Sequence, residues 1–422
     1  MKSVTLSLLQ SAANAFDFGG PVLCDAHHYG EGHINDTFVV WREDHSKRFI
    51  LQRINTDTFT NPVGLMENVC GVTRHLRAKI LAEGGDPARE TLNVIPTLSG
   101  STCYLDADGG AWRAYDFVED TICLQQVGSE ADFRTVAETL GKFQNQLADY
   151  PASTLHETIA RFHDTPNRYA NFEKALAADA LGRAKNIAPE IEFIHAREKD
   201  CHVLLDQLAA GEIPLRVTHN DTKINNVLID AATGKGICVI DLDTVMPGLS
   251  AYDFGDSIRT GANDCAEDEP DQSKVHFDLH LYEVFAKGYL STAGASMSMA
   301  EKRALHGVQA HDAGMRHPFS DRLSGGRPLF PYCPPEPQPR PCPHPVHTGA
   351  ADGRGFRSDA GNRLPGQSLI SQSPPFGYSK KHGRSPFRGA SMLLITAYPY
   401  TPIKSSFEDA GSVEDMMLCS KL

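Results

Sequence analysis

A dense group of short polar side chains occupies residues 219–226, within the segment THNDTKINNVLID. Among them are a carboxylate, Asp221, a cation, Lys223, and a carboxamide, Asn226. Phosphoryl transfer from ATP needs such groups together: a carboxylate that takes the proton of the acceptor hydroxyl, fixed positive charge beside the transferred group, and oxygen ligands for Mg²⁺. The segment therefore predicts Asp221 as the base, Lys223 as the cation at the phosphoryl group and Asn226 as a metal ligand.

A second acidic residue that suits this chemistry is Asp241, at the end of the apolar segment GICVID. This segment and VLID at 227–230 are predicted to be two strands of a hairpin, closed by the turn AATGKG. A hairpin returns the chain on itself, so Asp241 and Asp221 can face one point. We therefore predict Asp241 as the second metal ligand.

A simpler explanation of these residues is that Asp and Asn favour turns without any chemistry. It accounts for Asp221 or Asn226 taken singly, but not for the whole ordered set. His219 is assigned a structural role, in which its ring forms hydrogen bonds within the loop. Three further acids are expected to support the loop rather than to bind metal: Asp243, Asp253 and Asp256.

The other half of an ATP cleft is expected in residues 1–117. The segment YGEGHINDT (29–37) lies between two strand-like segments, and its glycines permit the backbone to approach phosphate groups. A plain hairpin turn would have a similar composition. The residues predicted to bind the nucleotide in this segment are Gly30, Gly32, His33 and Asn35.

The order of these motifs is shared with a known family. The pattern HxDxxxxN at 219–226, the strand that ends in Asp241 and the later PGLSAYDFGD (247–256) resemble those of the kinase-like phosphotransferases, which include the aminoglycoside phosphotransferases and choline kinases. Lys223 also matches the lysine that protein kinases carry two residues after their catalytic Asp. The longer string from RVTHNDTKINNVLID to VIDLDTVMPGLSAYDFGDSIR is similar more specifically to the N-acetylhexosamine 1-kinases of that group. The resemblance covers about residues 1–309.

This resemblance implies an α+β, protein kinase-like fold with two lobes, a small β-rich one and a helical one. It implies ATP as the phosphoryl donor and Mg²⁺ as the cofactor. The implied partner is a small-molecule sugar, phosphorylated at the anomeric hydroxyl of N-acetylglucosamine or N-acetylgalactosamine.

The resemblance also implies a cation–carboxylate pair, because kinases pair a lysine on the third strand with a glutamate on the following helix. The third strand here is FILQRIN, so the cation is Arg53, and the glutamate is Glu67. Arginine departs from the protein-kinase pattern but agrees with the hexosamine kinases. Both residues are therefore predicted to serve nucleotide binding, with an ordinary surface ion pair as the alternative.

The chain divides by pattern into three regions: 1–117 as a nucleotide-binding lobe, 118–306 as a helical catalytic lobe, and 307–422 as an irregular tail. Hairpin-like segments dominate the first region, and helical patterns dominate the second. One amphipathic helix is predicted by the spacing of Leu65, Val69, Val72 and Leu76.

Two further segments are candidates for ligand contact. AYDFVED (114–120) lies where the two lobes are expected to join, so its backbone is predicted to meet the adenine. FHDTPNRY (162–169) is rich in donors and acceptors that suit a sugar, although an exposed polar loop explains it more simply.

The bulk composition excludes several classes of partner. A formal net charge of −13 argues against nucleic acid and against an anionic membrane surface. The ten cysteines form no CxxC pair, so they are expected to be reduced and mostly buried. No apolar run is long enough to cross a membrane, and the first residues lack the pattern of a signal peptide, so a cytoplasmic protein is expected.

The region after residue 307 breaks the pattern. It holds 16 of the 26 prolines and shows no helical periodicity, which is typical of a disordered or misfitted segment. If the codons from about position 310 are read one base out of frame, they can encode a segment with Glu-Cys-Gly at its centre. This segment resembles the one that the hexosamine kinases have at this place. We therefore hypothesise a frameshift there, with a lineage-specific tail as the alternative, and a stop within a few codons of the shifted frame would exclude the shift.

Two other functions stay open at this stage. The chain could be a non-catalytic pseudo-kinase whose acceptor pocket is incomplete, or a kinase whose acceptor is an amino alcohol or aminoglycoside. Ligand-induced thermal stabilisation separates the first from an enzyme, and an acceptor screen separates the second from a sugar kinase.

Overall fold

The computed structural model describes residues 4–30, 34–179, 184–186, 188–263 and 276–310. The expectations for residues 311–422, including the irregular tail and the frameshift, lie outside the described residues. Within the described ranges, no helix is both long and apolar enough to cross a membrane.

An antiparallel sheet forms the N-terminal part of the described chain. Its strands run in the order β1-β2-β3-β6-β4, and β5 also pairs with β6. The hairpin of β1 and β2, the third strand and the hairpin of β5 and β6 confirm the sequence-based expectations. The strands are β1 (Val22–His28), β2 (Asp36–Arg42), β3 (Arg48–Ile54), β4 (Val94–Ile95), β5 (Tyr104–Leu105) and β6 (Ala111–Asp116).

The two faces of this sheet pack against different helices, because successive side chains of a strand point to opposite faces. One face joins α1 (Leu6–Ala13) in a buried cluster that includes Leu51 and Trp112. The opposite face, with Ala111 and Tyr115, belongs to the larger cluster that also contains α2 (Pro62–Ala82). The four apolar positions predicted for a helix all lie buried on α2: Leu65, Val69, Val72 and Leu76.

The second part of the described chain is mostly helical, as expected. Its helices are α3 (Glu130–Gln146), α4 (Thr165–Ala178), α5 (Ala188–His195), α6 (Val203–Ala209), α7 (Ser250–Gly261), α8 (Leu279–Ala293) and α9 (Met299–Ala310). Helices α3 and α8 form the centre of its core, where Phe133 and Phe285 lie 4.9 Å apart between ring centroids. The α+β class predicted from the sequence is thus observed.

Two segments differ from their expected structure. The segment at 189–211, in the region of predicted helical pattern, is divided into α5, a 3₁₀ turn (Glu198–His202) and α6. The polar segment at 162–169 is not simply a loop, because α4 begins at Thr165. The Asp164 carboxylate caps that helix by accepting the N–H of Asn167 at 2.9 Å.

Short strands surround the polar segment at 219–226. The predicted hairpin is present as β9 (Val227–Asp230) and β10 (Gly236–Val239), and β7 (Thr121–Cys123) pairs with β9. A separate antiparallel pair joins β8 (Arg216–Thr218) to β11 (Met246–Gly248). The sequence did not predict β7, β8 or β11, because strands of three residues carry too little periodicity to detect.

Candidate active site

The polar loop after β8 is held by a buried carboxylate on α7. Asp253 accepts the backbone N–H of His219 at 2.9 Å and that of Asn220 at 2.7 Å. Burial raises the pKa of Asp253 to about 6, against the lowering effect of His219 and of these two N–H groups. Asp253 is therefore ionised at neutral pH and supports the loop, as expected from the sequence.

Asn220 makes a sharp turn in the backbone immediately before Asp221. Its φ is +66°, in the left-handed region that Asn tolerates better than most residues. Its carboxamide nitrogen donates to the carbonyl of Thr244 at 2.8 Å, and its oxygen accepts the Thr218 hydroxyl at 2.9 Å. β11 passes so close that a Cβ at Gly248 would lie 2.2 Å from the Thr218 hydroxyl, so only glycine fits there.

The ring of His219 connects the loop to the end of β10. Its Nδ1 accepts the backbone N–H of Asp221 at 3.2 Å, and its Nε2 lies 2.8 Å from the carbonyl oxygen of Ile240. Because an amide N–H can only donate and a carbonyl can only accept, the proton is on Nε2. His219 therefore has the structural role expected of it and offers no ring nitrogen for proton transfer.

Asp221 and its two predicted partners lie together. The ammonium group of Lys223 is 3.4 Å from Asp221 Oδ1. The carboxamide nitrogen of Asn226 donates to the backbone carbonyl of Asp221 at 2.7 Å, so the carboxamide oxygen is the atom left for another ligand. Asp221 Oδ1 is itself buried and accepts no hydrogen bond from the described residues, which leaves one lone-pair acceptor directed at this site.

Asp241 follows directly on the strand that pairs with Asn226. The backbone N–H of Ile240 donates to the carbonyl of Asn226 at 2.9 Å, and Asp241 has a φ of +60° that turns the chain out of the ladder. Its side chain reaches solvent, yet crowding by protein atoms and the carboxylates of Asp243 and Asp221 raise its pKa to about 7. Asn226 therefore connects the two acids, since its carbonyl bonds the residue before Asp241 and its carboxamide bonds Asp221.

The donor set suits a hard divalent cation. In the described ranges, no three His, Cys, Asp or Glu side chains form a ready metal-binding cluster. Proteins usually bind Mg²⁺ through one or two side chains, while phosphate oxygens and water complete its coordination shell. Here the side chains would be the Asp241 carboxylate and the Asn226 carboxamide oxygen. The carboxylates of Asp243 and Asp221 contribute to the raised pKa of Asp241, and a bound cation would relieve this repulsion.

Asp243, two residues beyond Asp241, connects this turn to the N-terminal sheet. It is only 3% exposed, and its Oδ1 accepts a hydrogen bond from the guanidinium of Arg113 on β6. Its Oδ2 accepts the carboxamide N–H of Asn35 at 2.7 Å. Asn35 was predicted to bind nucleotide, but its carboxamide nitrogen donates to Asp243. Its carboxamide oxygen accepts the backbone N–H of Asn55 at 2.9 Å.

The other predicted nucleotide-binding residues are only partly described. Gly32 and His33 lie outside the described residues. Gly30 has a φ of +81°, which favours glycine, and a Cβ there would meet no atom of the described residues within 4 Å.

The structure gives Arg53 and Glu67 different neighbours, and their role in nucleotide binding stays a prediction. Glu67 on α2 accepts the Nε2–H of His156 at 2.6 Å. Arg53 is the cross-strand neighbour of Trp112, and its guanidinium lies 5.8 Å from the Trp112 ring centroid. Trp112 belongs to the sheet face that packs on α1, whereas α2 packs on the opposite face, so strand alternation separates Arg53 from Glu67.

A histidine that the sequence placed in a possible sugar-binding segment lies under the loop instead. His163 is 6% exposed, and its Nε2 is 3.3 Å from the carbonyl oxygen of Asn220. Its ring stacks on Tyr252 of α7 with centroids 4.7 Å apart. Burial lowers the pKa of His163 to about 3, so the ring is neutral at any ordinary pH.

Other charged groups complete the surroundings of the loop. Asp256 on α7 accepts the Arg259 guanidinium at 2.8 Å, and burial raises its pKa to about 6. At the other end of the site, Arg89 bonds the carbonyl of Glu119 at 2.9 Å and forms an ion pair with Asp230 at 2.8 Å. These contacts join the segment at 114–120 to β9.

Sequence reasoning missed Arg113 and His163 as residues of the site. Arg113 lies in the strand AWRAYD, and a charged residue inside an otherwise buried strand was the available signal. His163 carried no comparable signal, because its contact with Asn220 depends on how α4 approaches the loop.

Comparison with known proteins gives the following matches. The model of the Phosphotransferase enzyme family matches residues 25–288. Among solved structures, an aminoglycoside phosphotransferase from Alicyclobacillus acidocaldarius is 13% identical, with 71% of this chain and 81% of that chain covered and a TM-score of 0.47. A microcompartment-associated aminopropanol kinase is 17% identical, with 76% and 92% covered and a TM-score of 0.43. An ethanolamine kinase from Plasmodium vivax is 12% identical, with 68% and 72% covered and a TM-score of 0.39.

Proposed function

Because the chain belongs to the phosphotransferase enzyme family, we propose that it transfers the γ-phosphoryl group of ATP to the anomeric hydroxyl of an N-acetylhexosamine. The fold is the kinase-like one of a sheet-rich and a helical part. The observation that carries the proposal is the convergence of Asp221, Asn226 and Asp241 at the ends of paired backbone segments. The choice of acceptor rests on the similarity of residues 216–259 to the N-acetylhexosamine 1-kinases.

Asp221 is the proposed base. Its carboxylate retains unused acceptor capacity among the described residues, which we propose serves the acceptor hydroxyl. The loop fixes its direction from three sides, through the ring of His219, the carboxylate of Asp253 and the strained backbone of Asn220. A fixed direction matters because phosphoryl transfer depends on an in-line approach of the attacking oxygen.

Lys223 is proposed to balance charge at the transferred group. Its ammonium lies 3.4 Å from Asp221 Oδ1 and so can follow the developing charge on the acceptor oxygen and phosphoryl group. Asp241 and the carboxamide oxygen of Asn226 would hold magnesium. When bound, the metal ion neutralises phosphate charge and orients the leaving group.

The nucleotide is proposed to lie between the loop and the N-terminal sheet. The positive φ of Gly30 supports a phosphate contact there, and Gly32, His33 and Arg53 remain predicted contributors. Asn35 and Glu67 are proposed to act indirectly, since both side chains bond to protein groups. The backbone at 114–120 remains the proposed adenine contact.

The proposal is tested by replacing Asp221 with Asn. Loss of a general base lowers turnover by about 10²–10⁴-fold, while binding of Mg-ATP, measured by calorimetry, is expected to be retained. Asp108→Asn, in the exposed hairpin turn between β5 and β6, is the matched control. Equal loss of nucleotide binding in Asp221→Asn would show that the residue is structural and would contradict the proposed role.

The acceptor is tested with a panel that contains N-acetylglucosamine, N-acetylgalactosamine, their 1-O-methyl glycosides, ethanolamine, choline and an aminoglycoside. The expected result is transfer to the free sugars alone, with phosphorus–carbon coupling at C1 in the NMR spectrum of the product. Phosphorylation of a methyl glycoside would exclude the anomeric hydroxyl. Transfer to an amino alcohol or aminoglycoside alone would support the proposed kinase activity but would contradict an N-acetylhexosamine as the acceptor.

A further inference from the structure

Two side chains of the N-terminal sheet region converge on one buried carboxylate of the catalytic region. Arg113 comes from β6 and Asn35 from the residue before β2, and they bind different oxygens of Asp243. Asp243 is separated from them by 130 and 208 residues along the chain. The contact therefore exists only because the fold brings the sheet against the turn that follows Asp241.

Arg113 is itself held in a single position. It is 1% exposed, and its Nε donates to the side-chain oxygen of Gln52 on the neighbouring strand at 2.9 Å. The Gln52 nitrogen donates in turn to the Thr37 hydroxyl at 2.9 Å, so β2, β3 and β6 all contribute. A guanidinium with this many fixed contacts has little freedom to move.

The charge on Arg113 is maintained despite its burial. Burial alone lowers the pKa of an arginine, but the neighbouring Asp243, Tyr115 and Asp241 together raise the pKa of Arg113 above its ordinary value. A permanent positive charge is thus paired with Asp243, two residues beyond the carboxylate that is expected to bind metal.

The turn gives these contacts a direct route to Asp241. Asp243 is the middle residue of a 3₁₀ turn, Leu242–Thr244, that begins immediately after Asp241. On the other side of the turn, the Asp243 carbonyl accepts the Thr158 hydroxyl at 2.9 Å, and the Thr244 hydroxyl donates to the carbonyl of His219 at 2.7 Å. Any displacement of Asp243 would therefore rotate Asp241 relative to Asn226.

From this arrangement we infer that Arg113 and Asn35 are positioning residues, which act through Asp243 to aim the Asp241 carboxylate at a nucleotide-bound divalent cation. The inference rests on the proposed function. It assigns to this network the fixed cation–carboxylate contact that the sequence had assigned to Arg53 and Glu67. It also makes the metal affinity depend on residues of the N-terminal sheet that are not among the proposed metal ligands.

The competing explanation is that the network only holds the two parts of the chain together. Lys142 on α3 offers a matched control, because its ion pair with Glu90 at 3.0 Å also joins the residues after α2 to the helical part of the chain but does not involve the turn at 242–244. If both contacts only link the two parts of the chain, removing either contact should change Mn²⁺ binding to the same extent. Loss of a positioning contact should affect metal binding only at Arg113 and Asn35.

The experiment compares Arg113→Lys, Asn35→Ala and Lys142→Gln with the unmodified full chain. Binding of Mn²⁺ is measured by electron paramagnetic resonance with a non-hydrolysable ATP analogue present, and binding of the analogue without metal is measured separately. Removing a group that orients a metal ligand weakens metal binding by about 10- to 100-fold. Asn35→Ala is the milder variant, because it retains the pair of Arg113 and Asp243, and it keeps the test valid if Arg113→Lys does not fold.

The expected result is weaker Mn²⁺ binding in Arg113→Lys and Asn35→Ala, with metal-free analogue binding unchanged in both and Mn²⁺ binding unchanged in Lys142→Gln. Unchanged Mn²⁺ affinity in either folded variant at Arg113 or Asn35 would overturn the inference while leaving the proposed function in place. Equal weakening in Lys142→Gln would also overturn it, in favour of a simple link. An unmodified chain that binds no Mn²⁺-nucleotide complex would overturn both proposals.

Discussion

The backbone N–H of Ile240 donates to the carbonyl oxygen of Asn226 at 2.9 Å. This single bond extends the ladder of β9 and β10 by one position and places Asp241 beside Asn226. The His219 ring bonds the carbonyl of the same Ile240 and the N–H of Asp221. The three residues proposed for catalysis and metal binding are thereby connected through one backbone hydrogen bond and the ring of His219.

Asp241 is expected to reduce stability in the absence of a cation. Its pKa is about 7 in the folded protein, against about 3.9 for an unfolded aspartate. The folded state therefore binds more protons than the unfolded state between these values, and stability falls as pH rises from about 4 to 7. Asp241→Asn removes this penalty, so its melting temperature should exceed that of the unmodified chain at pH 8, with the difference vanishing towards pH 4.

The measurement is thermal unfolding in metal-free buffer, followed by circular dichroism at several pH values. Asp108→Asn serves as the control for a general change in charge, since Asp108 lies in an exposed turn. Asp241→Asn should also lose activity, as expected where a functional site is kept at a cost in stability. Equal melting temperatures of the variant and the unmodified chain at pH 8 would contradict this account of Asp241.

His163 is expected to hold the loop in its active conformation. The substitution His163→Phe preserves an aromatic ring against Tyr252 but removes the donor to the Asn220 carbonyl. An unsatisfied buried carbonyl costs about 1–3 kcal/mol, and relaxation of Asn220 would turn Asp221 away from the acceptor. Turnover should fall by about tenfold with little change in the KM for ATP, and His163→Gln, which can donate, should recover part of it.

The pH profile distinguishes this role from proton transfer. Since the pKa of His163 is about 3, the group does not titrate in the range where activity is measured. The pH–rate profile of the active His163→Gln variant should therefore keep the shape of the unmodified chain. Loss of a limb of the profile near neutral pH would show instead that His163 exchanges a proton during turnover.

The base of the loop is stabilised by an ion pair between β8 and α9. Arg216 Nε donates to Glu301 Oε1 at 2.5 Å, and both side chains are largely buried. Arg216→Met leaves the Glu301 carboxylate buried and unpaired, which costs about 3–5 kcal/mol in the free energy of unfolding. Lys79→Met, which removes an exposed ion pair with Asp149, should cost about 0–1 kcal/mol.

The pH dependence of this ion pair follows from the Glu301 pKa. Burial raises that pKa, but the hydrogen bonds and charge of Arg216 and the Ser298 N–H lower it further, and the net shift is downward. The stabilisation is therefore complete above about pH 4.3, the unfolded value, and is lost as pH falls through the lower folded pKa. Urea denaturation should show the difference between Arg216→Met and the unmodified chain shrinking in acid.

Several elements could be predicted because their signal is local. The apolar stripe of α2 follows from a spacing of three and four residues, and the hairpin of β9 and β10 follows from two short apolar segments around a turn. The group Asp221, Lys223 and Asn226 lies within six consecutive residues, so their proximity needed no knowledge of the fold. The family match over residues 25–288 agrees with that local pattern.

What the sequence by itself determined is thus the chemistry of the loop, because the order of residues in one short segment sets which groups stand together. Only the tertiary structure decided which cation supports Asp241. Arg53 and Arg113 both lie on sheet strands, but strand alternation and the packing of α2 place Arg113 on the face towards Asp243 and Arg53 beside Trp112. Arg113 and Asp243 are 130 residues apart in the sequence and meet only because the sheet packs against the turn. No residue spacing along the chain predicts this packing.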